Sequence, residues 1–152
     1  MLYTRLNRVL EALWARGYRR FLCGGATGFD TLAAVCVRQL RAAHPEAELV
    51  LALPCENQTR GWKATDRAVY EELRADADRV IVLAPHYYPG CMLVRDRFMV
   101  DHASFCVACM EESTGGTAYT VRYALQQQLP ILNIAIAAEA DHFCDELSDL
   151  PF

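Results

Sequence analysis

Five short apolar runs separated by helical patterns constrain this chain more than any other feature. The runs lie at 19–23, 48–53, 79–84, 104–110 and 131–134. Inside them apolar residues follow one another instead of alternating with polar ones, as in Glu48-Leu-Val-Leu-Ala-Leu53. A strand of that kind is covered on both faces, the usual condition of a parallel sheet. Between the runs, apolar residues recur at helical spacing. Leu2, Leu6, Val9, Leu10 and Leu13 share one face of a helix over 2–16, which Gly17 stops. Leu32, Val35, Cys36 and Leu40 do the same over 30–43. Further helices are expected over 61–75, 91–102 and 118–128, with Pro130 breaking the chain before the last strand. The alternation implies an α/β domain, a Rossmann-like three-layer sandwich with a mostly parallel sheet.

The chain has 152 residues, enough for one such domain, and at 53% hydrophobic it can fill a core. The domain is expected over 1–138, followed by an acidic tail over 139–152. That tail holds Glu139, Asp141, Asp145, Glu146 and Asp149 with no Lys or Arg, and its last dozen residues are expected to be loosely ordered. The net charge is −4, and without those five acids the remainder would be close to neutral. Nothing resembles the basic footprint of a nucleic-acid binder, so nucleic acid is not an expected partner. Polar residues interrupt every apolar run before the roughly 18 needed to span a bilayer. The N-terminal residues lack the apolar stretch and cleavage site of a secretory signal, which makes the cytoplasm the default compartment. Seven cysteines, an odd number scattered through strands and helices, argue against a disulfide framework. Cys106 and Cys109 are three apart in a strand and point to opposite faces, a poor geometry for a metal or redox pair. His86, His102 and His142 have no metal-ligand spacing, and no metal is expected.

Ligands of an open parallel sheet bind beyond the carboxyl ends of its strands. The segments expected there hold most of the unusual residues. Gly24-Gly25-x-x-Gly28 joins a strand to a helix. Glycines there allow positive φ and close approach of a ligand, and the next helix offers free N–H groups to an anion. Gly115-Gly116-Thr117 repeats the arrangement, with a hydroxyl donor added. Either turn could instead be a tight connection. Asp30 is either a helix N-cap or a partner for a ribose hydroxyl. Arg95 and Arg97 differ by about 200° around a helix, so only one faces the rim well. Arg95 stacks with Met92 and Met99, and either snorkels beside them or clamps a phosphate or carboxylate. Trp62, Asp66 and Tyr70 fall on one helical face, where a buried Asp66 would need a partner or a ligand. Cys55, after a strand end, is a candidate thiol. No Ser–His–Asp or Cys–His set can be assigned.

Together these motifs resemble the YpsA-like branch of the SLOG superfamily. The resemblance rests on Phe21-x-Cys-Gly-Gly-Ala-x-Gly-Phe-Asp30, Pro54-x-x-Asn57-Gln58, Trp62-x-x-x-Asp66, Tyr70, Ala77-Asp78, Tyr88-x-Gly-Cys-Met92, Arg95-x-Arg97, Met99-Val-Asp101, Gly115-Gly116-Thr117 and Thr120-Val121. It spans nearly the whole chain. The superfamily also contains the LOG phosphoribohydrolases and the DNA-processing protein DprA. The resemblance implies a Rossmann-like fold and a nucleotide or nucleotide-derived ligand, such as NAD, ADP-ribose or AMP, in a sensing or regulatory role. The implied ligand-binding residues are Gly24, Gly25, Gly28, Asp30, Asn57, Gln58, Asp66, Tyr88, Arg95, Gly115, Gly116 and Thr117. One alternative is a nucleotide-processing enzyme. Another is an interaction module with a vestigial pocket, since some members of the branch are linked to bacterial cell division.

Two departures from the family pattern stand out. LOG enzymes carry a glutamate where this chain has Thr120, although their arginine has a counterpart in Arg95. Relatives also begin with a strand ending in Thr-Gly-His-Arg, whereas this sequence starts at the helix that follows. The strands over 19–23 and 79–84 are therefore expected to flank a gap and pair directly. Exposed strand edges then favour a homodimer.

Overall fold

The computed structural model describes residues 1–146. The elements run α1 Leu2–Ala15, β1 Arg20–Cys23, α2 Phe29–Ala43, β2 Glu48–Leu53, α3 Ala64–Asp76 and β3 Arg79–Val82. They continue as α4 Cys91–Asp101, β4 Cys106–Ala108, α5 Gly116–Gln126, β5 Ile131–Asn133 and α6 Ala137–Asp145. The strands are parallel and the architecture is α/β of the Rossmann-like, three-layer kind. Among the described residues no helix is long and apolar enough to cross a membrane.

β1, β2 and β3 form one sheet in that order, with Phe21 opposite Leu49 and Leu51 opposite Val80. β4 and β5 form a second, shorter sheet, with Val107 opposite Leu132. The expected direct pairing of the 19–23 and 79–84 strands is corrected by this order, because β2 lies between them. Within each sheet, strands consecutive in sequence sit side by side, joined by a crossover helix. The break in strand pairing falls between the two sheets. Leu6, Val9, Leu10 and Leu13 of α1 belong to the same buried cluster as Phe21, Leu49 and Leu51 of the first sheet and Leu132 of the second. Phe105 beside β4 meets Tyr18 before β1, with ring centroids 5.8 Å apart.

β2 is the central strand, and Leu49, Leu51, Ala52 and Leu53 are fully enclosed. Pro54 ends it. α2 buries Ala34, Cys36, Val37 and Leu40 and stops at His44, the position before a proline, where helical geometry is disfavoured. α1 packs against α2 and α6, whereas α4 and α5 pack against each other. α3 starts at Ala64 rather than 61. The preceding residues fold into turns, with Arg60 N donating to Asn57 O at 3.2 Å and Trp62 N to Thr59 O at 3.0 Å.

The sixth helix falls in the segment expected to be an acidic tail. Ala140 and Phe143 are buried in the core, and acids of α6 and its C-cap face arginines of α1 and its C-cap. Arg8 Nη1 is 2.9 Å from Asp141, and Arg16 Nη2 is 3.2 Å from Glu146. The acidic segment through Glu146 is thus part of the folded unit, its charge set against basic residues more than a hundred positions upstream. The rest of the expected tail, 147–152, lies outside the described residues.

Candidate ligand-binding site

The turn after β1 is built around Gly24 and Gly25, each glycine for a different reason. A Cβ on Gly24 would lie 2.7 Å from Arg95 Nη1 and 2.7 Å from Asp30 Oδ2. Only a residue without a side chain lets those two groups come so near the backbone. Gly25 has φ +75°, and a Cβ there would sit 2.5 Å from Leu53 Cδ2 and 3.2 Å from Gln58 Nε2. Its bare face therefore looks into the protein, so packing demands this glycine, and the expected close approach of a ligand over it is corrected. Gly28 (φ +78°) is the position that opens outward. It is exposed, a Cβ there would meet nothing within 4 Å, and it is the N-cap of α2 with no side-chain cap. The first N–H groups of α2 lie behind it.

Asp30 is not the N-cap. It occupies the second position of α2 and reaches back over the turn, where its Oδ2 accepts from Ala26 N at 3.2 Å. Thr31 Oγ1 donates to Ala26 O at 2.9 Å, so the helix start clasps the turn from both sides. Burial holds the Asp30 carboxyl above its ordinary range, against the pull of the Arg95 guanidinium.

Arg95 is 4% exposed, which rules out snorkelling. It sits in the second turn of α4, donates through Nη1 to Gly24 O and through Nε to Asp96 Oδ1 at 2.8 Å, and has Nη2 4.0 Å from Asp30 Oδ2. A buried cation is retained only with such partners. Arg95 is a strut that ties α4 to the carboxyl end of β1, while Arg97 is exposed.

The loop after β2 completes the cluster. Gln58 Nε2 donates to Gly25 O at 3.2 Å, and that acceptor fixes which end of the amide faces the turn. Gln58 Oε1 is buried and has no hydrogen-bond partner among the described residues. Asn57 Oδ1 accepts from Tyr87 N at 2.9 Å, which attaches the loop after β3. Tyr88 lies in that loop with its ring exposed and its carbonyl accepting from Cys91 N at 3.1 Å.

Gly24, Gly25, Gly28, Asp30, Asn57, Gln58, Tyr88 and Arg95 are thus brought into one neighbourhood. The remaining expected residues are not joined to it. Asp66 is exposed in the first turn of α3, where a carboxylate suits the positive end of a helix, so the expected buried carboxylate is corrected. The later start of α3 is the reason: Trp62 precedes the helix and meets Tyr70 edge-on at 5.4 Å. Gly115, Gly116 and Thr117 form an exposed helix start after β4, with Gly115 at φ +98° as N-cap. No hydrogen bond or ion pair links that turn to the first among the described residues. Thr120 Oγ1 donates to Gly116 O at 3.0 Å, and the first turn of α5 carries no acid.

Cys55 is fully enclosed, and burial pushes its thiol up, which argues against a nucleophile. Burial pushes the Cys106 thiol up to about 11. Among the described residues no cluster of His, Cys, Asp or Glu could hold a metal ion. Shallow depressions also lie along α1, one lined by Asn7, Leu10, Glu11, Gln39 and Leu40, away from the Gly24 turn. Sequence reasoning missed Thr31, Asp96 and Tyr87. Thr31 and Asp96 had a signal in their positions beside Asp30 and Arg95. Tyr87 had one in its place beside Tyr88.

The chain matches the family model YpsA, described as YspA SLOG family, over residues 1–137. It is 29% identical over 141 residues to an uncharacterized SPbeta prophage-derived protein, YoqJ, of Bacillus subtilis (strain 168), covering 84% of this chain and 82% of that one. It is 27% identical over 120 residues to the UPF0398 protein BH1768 of Halalkalibacterium halodurans, covering 77% of this chain and 64% of the relative. It is 25% identical over 124 residues to a UPF0398 protein of Bacillus pumilus, covering 80% and 67%. The chain therefore spans about two thirds of the length of the two UPF0398 proteins.

Proposed function

The chain belongs to the YspA SLOG family, and from that premise we propose that it binds a nucleotide or nucleotide-derived ligand at the β1–α2 turn, as a sensing or regulatory domain. The observation that carries this reading is the open, uncapped start of α2 at Gly28, held in place by a buried arginine. Free N–H groups at a helix start suit a phosphate. Asp30, two positions further on, offers an oxygen to a ribose hydroxyl, the role acidic residues take in dinucleotide folds. A phosphate beside Gly28 and a sugar beside Asp30 describe a nucleotide better than they describe a bare anion. We assign the cytoplasm as the compartment and NAD, ADP-ribose and AMP as the first ligands to try.

Binding fits this arrangement better than hydrolysis. Asp30 is engaged with Ala26 N and lies 4.0 Å from Arg95, and the position matching the LOG glutamate is a threonine bonded to its own helix. A thermal-shift series with NAD, ADP-ribose and AMP tests the reading. A ligand at a hundred times its Kd stabilises the fold by about 2.7 kcal/mol. No shift with any nucleotide, in folded protein, would overturn it in favour of an interaction module. Release of free base from a nucleoside monophosphate would overturn the sensing role in favour of a phosphoribohydrolase.

A further inference from the structure

Two aromatic rings stand in solvent beside the candidate site: Tyr87 is 60% exposed and Tyr88 42%. They are not on a loose loop. Glu56 N donates to Ala84 O at 3.1 Å, Tyr87 N to Asn57 Oδ1 at 2.9 Å, and Cys91 N to Tyr88 O at 3.1 Å. Pro85 and Pro89 stiffen the segment on both sides. Its far end is Gly90, in the left-handed region at φ +90°, from which α4 carries Arg95 back under Gly24. Its near end is held by Asn57, whose neighbour Gln58 bonds Gly25 O. The loop that carries the rings is therefore tied, through Asn57 and Gln58, to the same turn that the proposed ligand occupies.

Resting on the nucleotide reading above, we infer that Tyr87, flanked by Tyr88, is the base-stacking platform of this site, and that the ligand is recognised through a planar nucleobase as well as through its phosphate. A rigid aromatic face gives stacking energy at little cost in side-chain entropy. It also accepts any base, because every base has a π-face. The class selected is a base-bearing nucleotide rather than a sugar phosphate or an inorganic anion.

Isothermal titration of the full chain with AMP and with ribose 5-phosphate tests this. Stacking of one base on one aromatic ring corresponds to roughly a tenfold or larger preference for AMP. Tyr87→Ala should collapse the ratio of the two affinities toward one, and Tyr87→Phe should restore it. The ring is exposed, so melting temperatures of both variants should match the parent. Equal affinity of the parent for AMP and ribose 5-phosphate would overturn the platform and leave the phosphate site standing. So would an undiminished AMP preference in Tyr87→Ala. Failure of both ligands to bind the parent would overturn the platform and the nucleotide reading together.

Discussion

Arg95 and Asp30 meet beneath Gly24, with Nη2 and Oδ2 4.0 Å apart and the glycine backbone where a side chain would otherwise stand. They come from different helices, 65 positions apart, and only a bare Cα lets them share the space. This relationship makes the first turn a rigid object rather than a flexible connection.

It predicts that Gly24→Ala separates the pair. The new Cβ would be 2.7 Å from atoms of both partners, and neither is free to leave. Overpacking of this sort costs about 1–3 kcal/mol, which urea denaturation would measure. Arg95→Met should cost about 3 kcal/mol, because it strands Asp30 without its cation. Adding Asp30→Asn should recover part of that loss. A double-mutant cycle showing simple additivity would contradict the coupling.

The glycines should separate packing from binding. Gly25→Val drives a branched side chain into Leu53 from a left-handed backbone, so it should lower the melting temperature sharply and report little about ligand. Gly116→Ala is the cleaner probe of the second turn. Nothing lies within 4 Å of its Cβ direction, and it is a first-turn helical position where alanine is favoured. It should leave stability unchanged or slightly raised. If this turn also cradles phosphate, AMP affinity should fall about tenfold. Unchanged affinity would assign the ligand to the Gly24 turn alone.

Much of this arrangement was legible in the residues, and its limits have physical causes. Apolar runs and helical spacing located the five strands and the first five helices of the described residues, because burial on two faces leaves an unbroken pattern. The strand neighbours did not follow, since nothing local in 19–23 says whether 48–53 or 79–84 lies beside it. α6 was hidden by its own acids, which read as a tail until Arg8 of α1 and Arg16 at its end are seen opposite them. At the site, the glycines announced the turn but not which way each faces. Arg95 reaches Gly24 across 71 positions, a distance over which periodicity carries no information.

Acid stability should depend on Asp78. Its Oδ2 accepts from Leu49 N at 2.8 Å and from Arg41 at 2.8 Å, and these bonds, the backbone one first, hold its carboxyl below the ordinary 3.8. The stability it contributes is fully present above pH 3.8 and is lost as the pH falls through the lower folded value. The side chain is partly exposed, so solvent screening limits the contribution to about 1 kcal/mol. Asp78→Asn should cost that amount at pH 7 and progressively less as the pH falls below 3.8, in denaturation curves collected across that range.

The break in strand pairing predicts self-association. β1 pairs only with β2, and β4 only with β5, among the described residues. Unpaired strand edges recruit other chains. Light scattering should give a mass near twice 17.1 kDa that falls on dilution. A monomer at all concentrations would contradict this.

Hydrogen exchange with and without saturating AMP tests the nucleotide site most directly. A nucleotide there slows exchange at the amides of residues 25–31 and 86–90, where the start of α2 and the tyrosine loop would close on the ligand. It causes no change along the outer face of α1 or in α6. Protection confined to α1 and α6, or no protection anywhere at saturating AMP, would contradict a nucleotide site at the Gly24 turn.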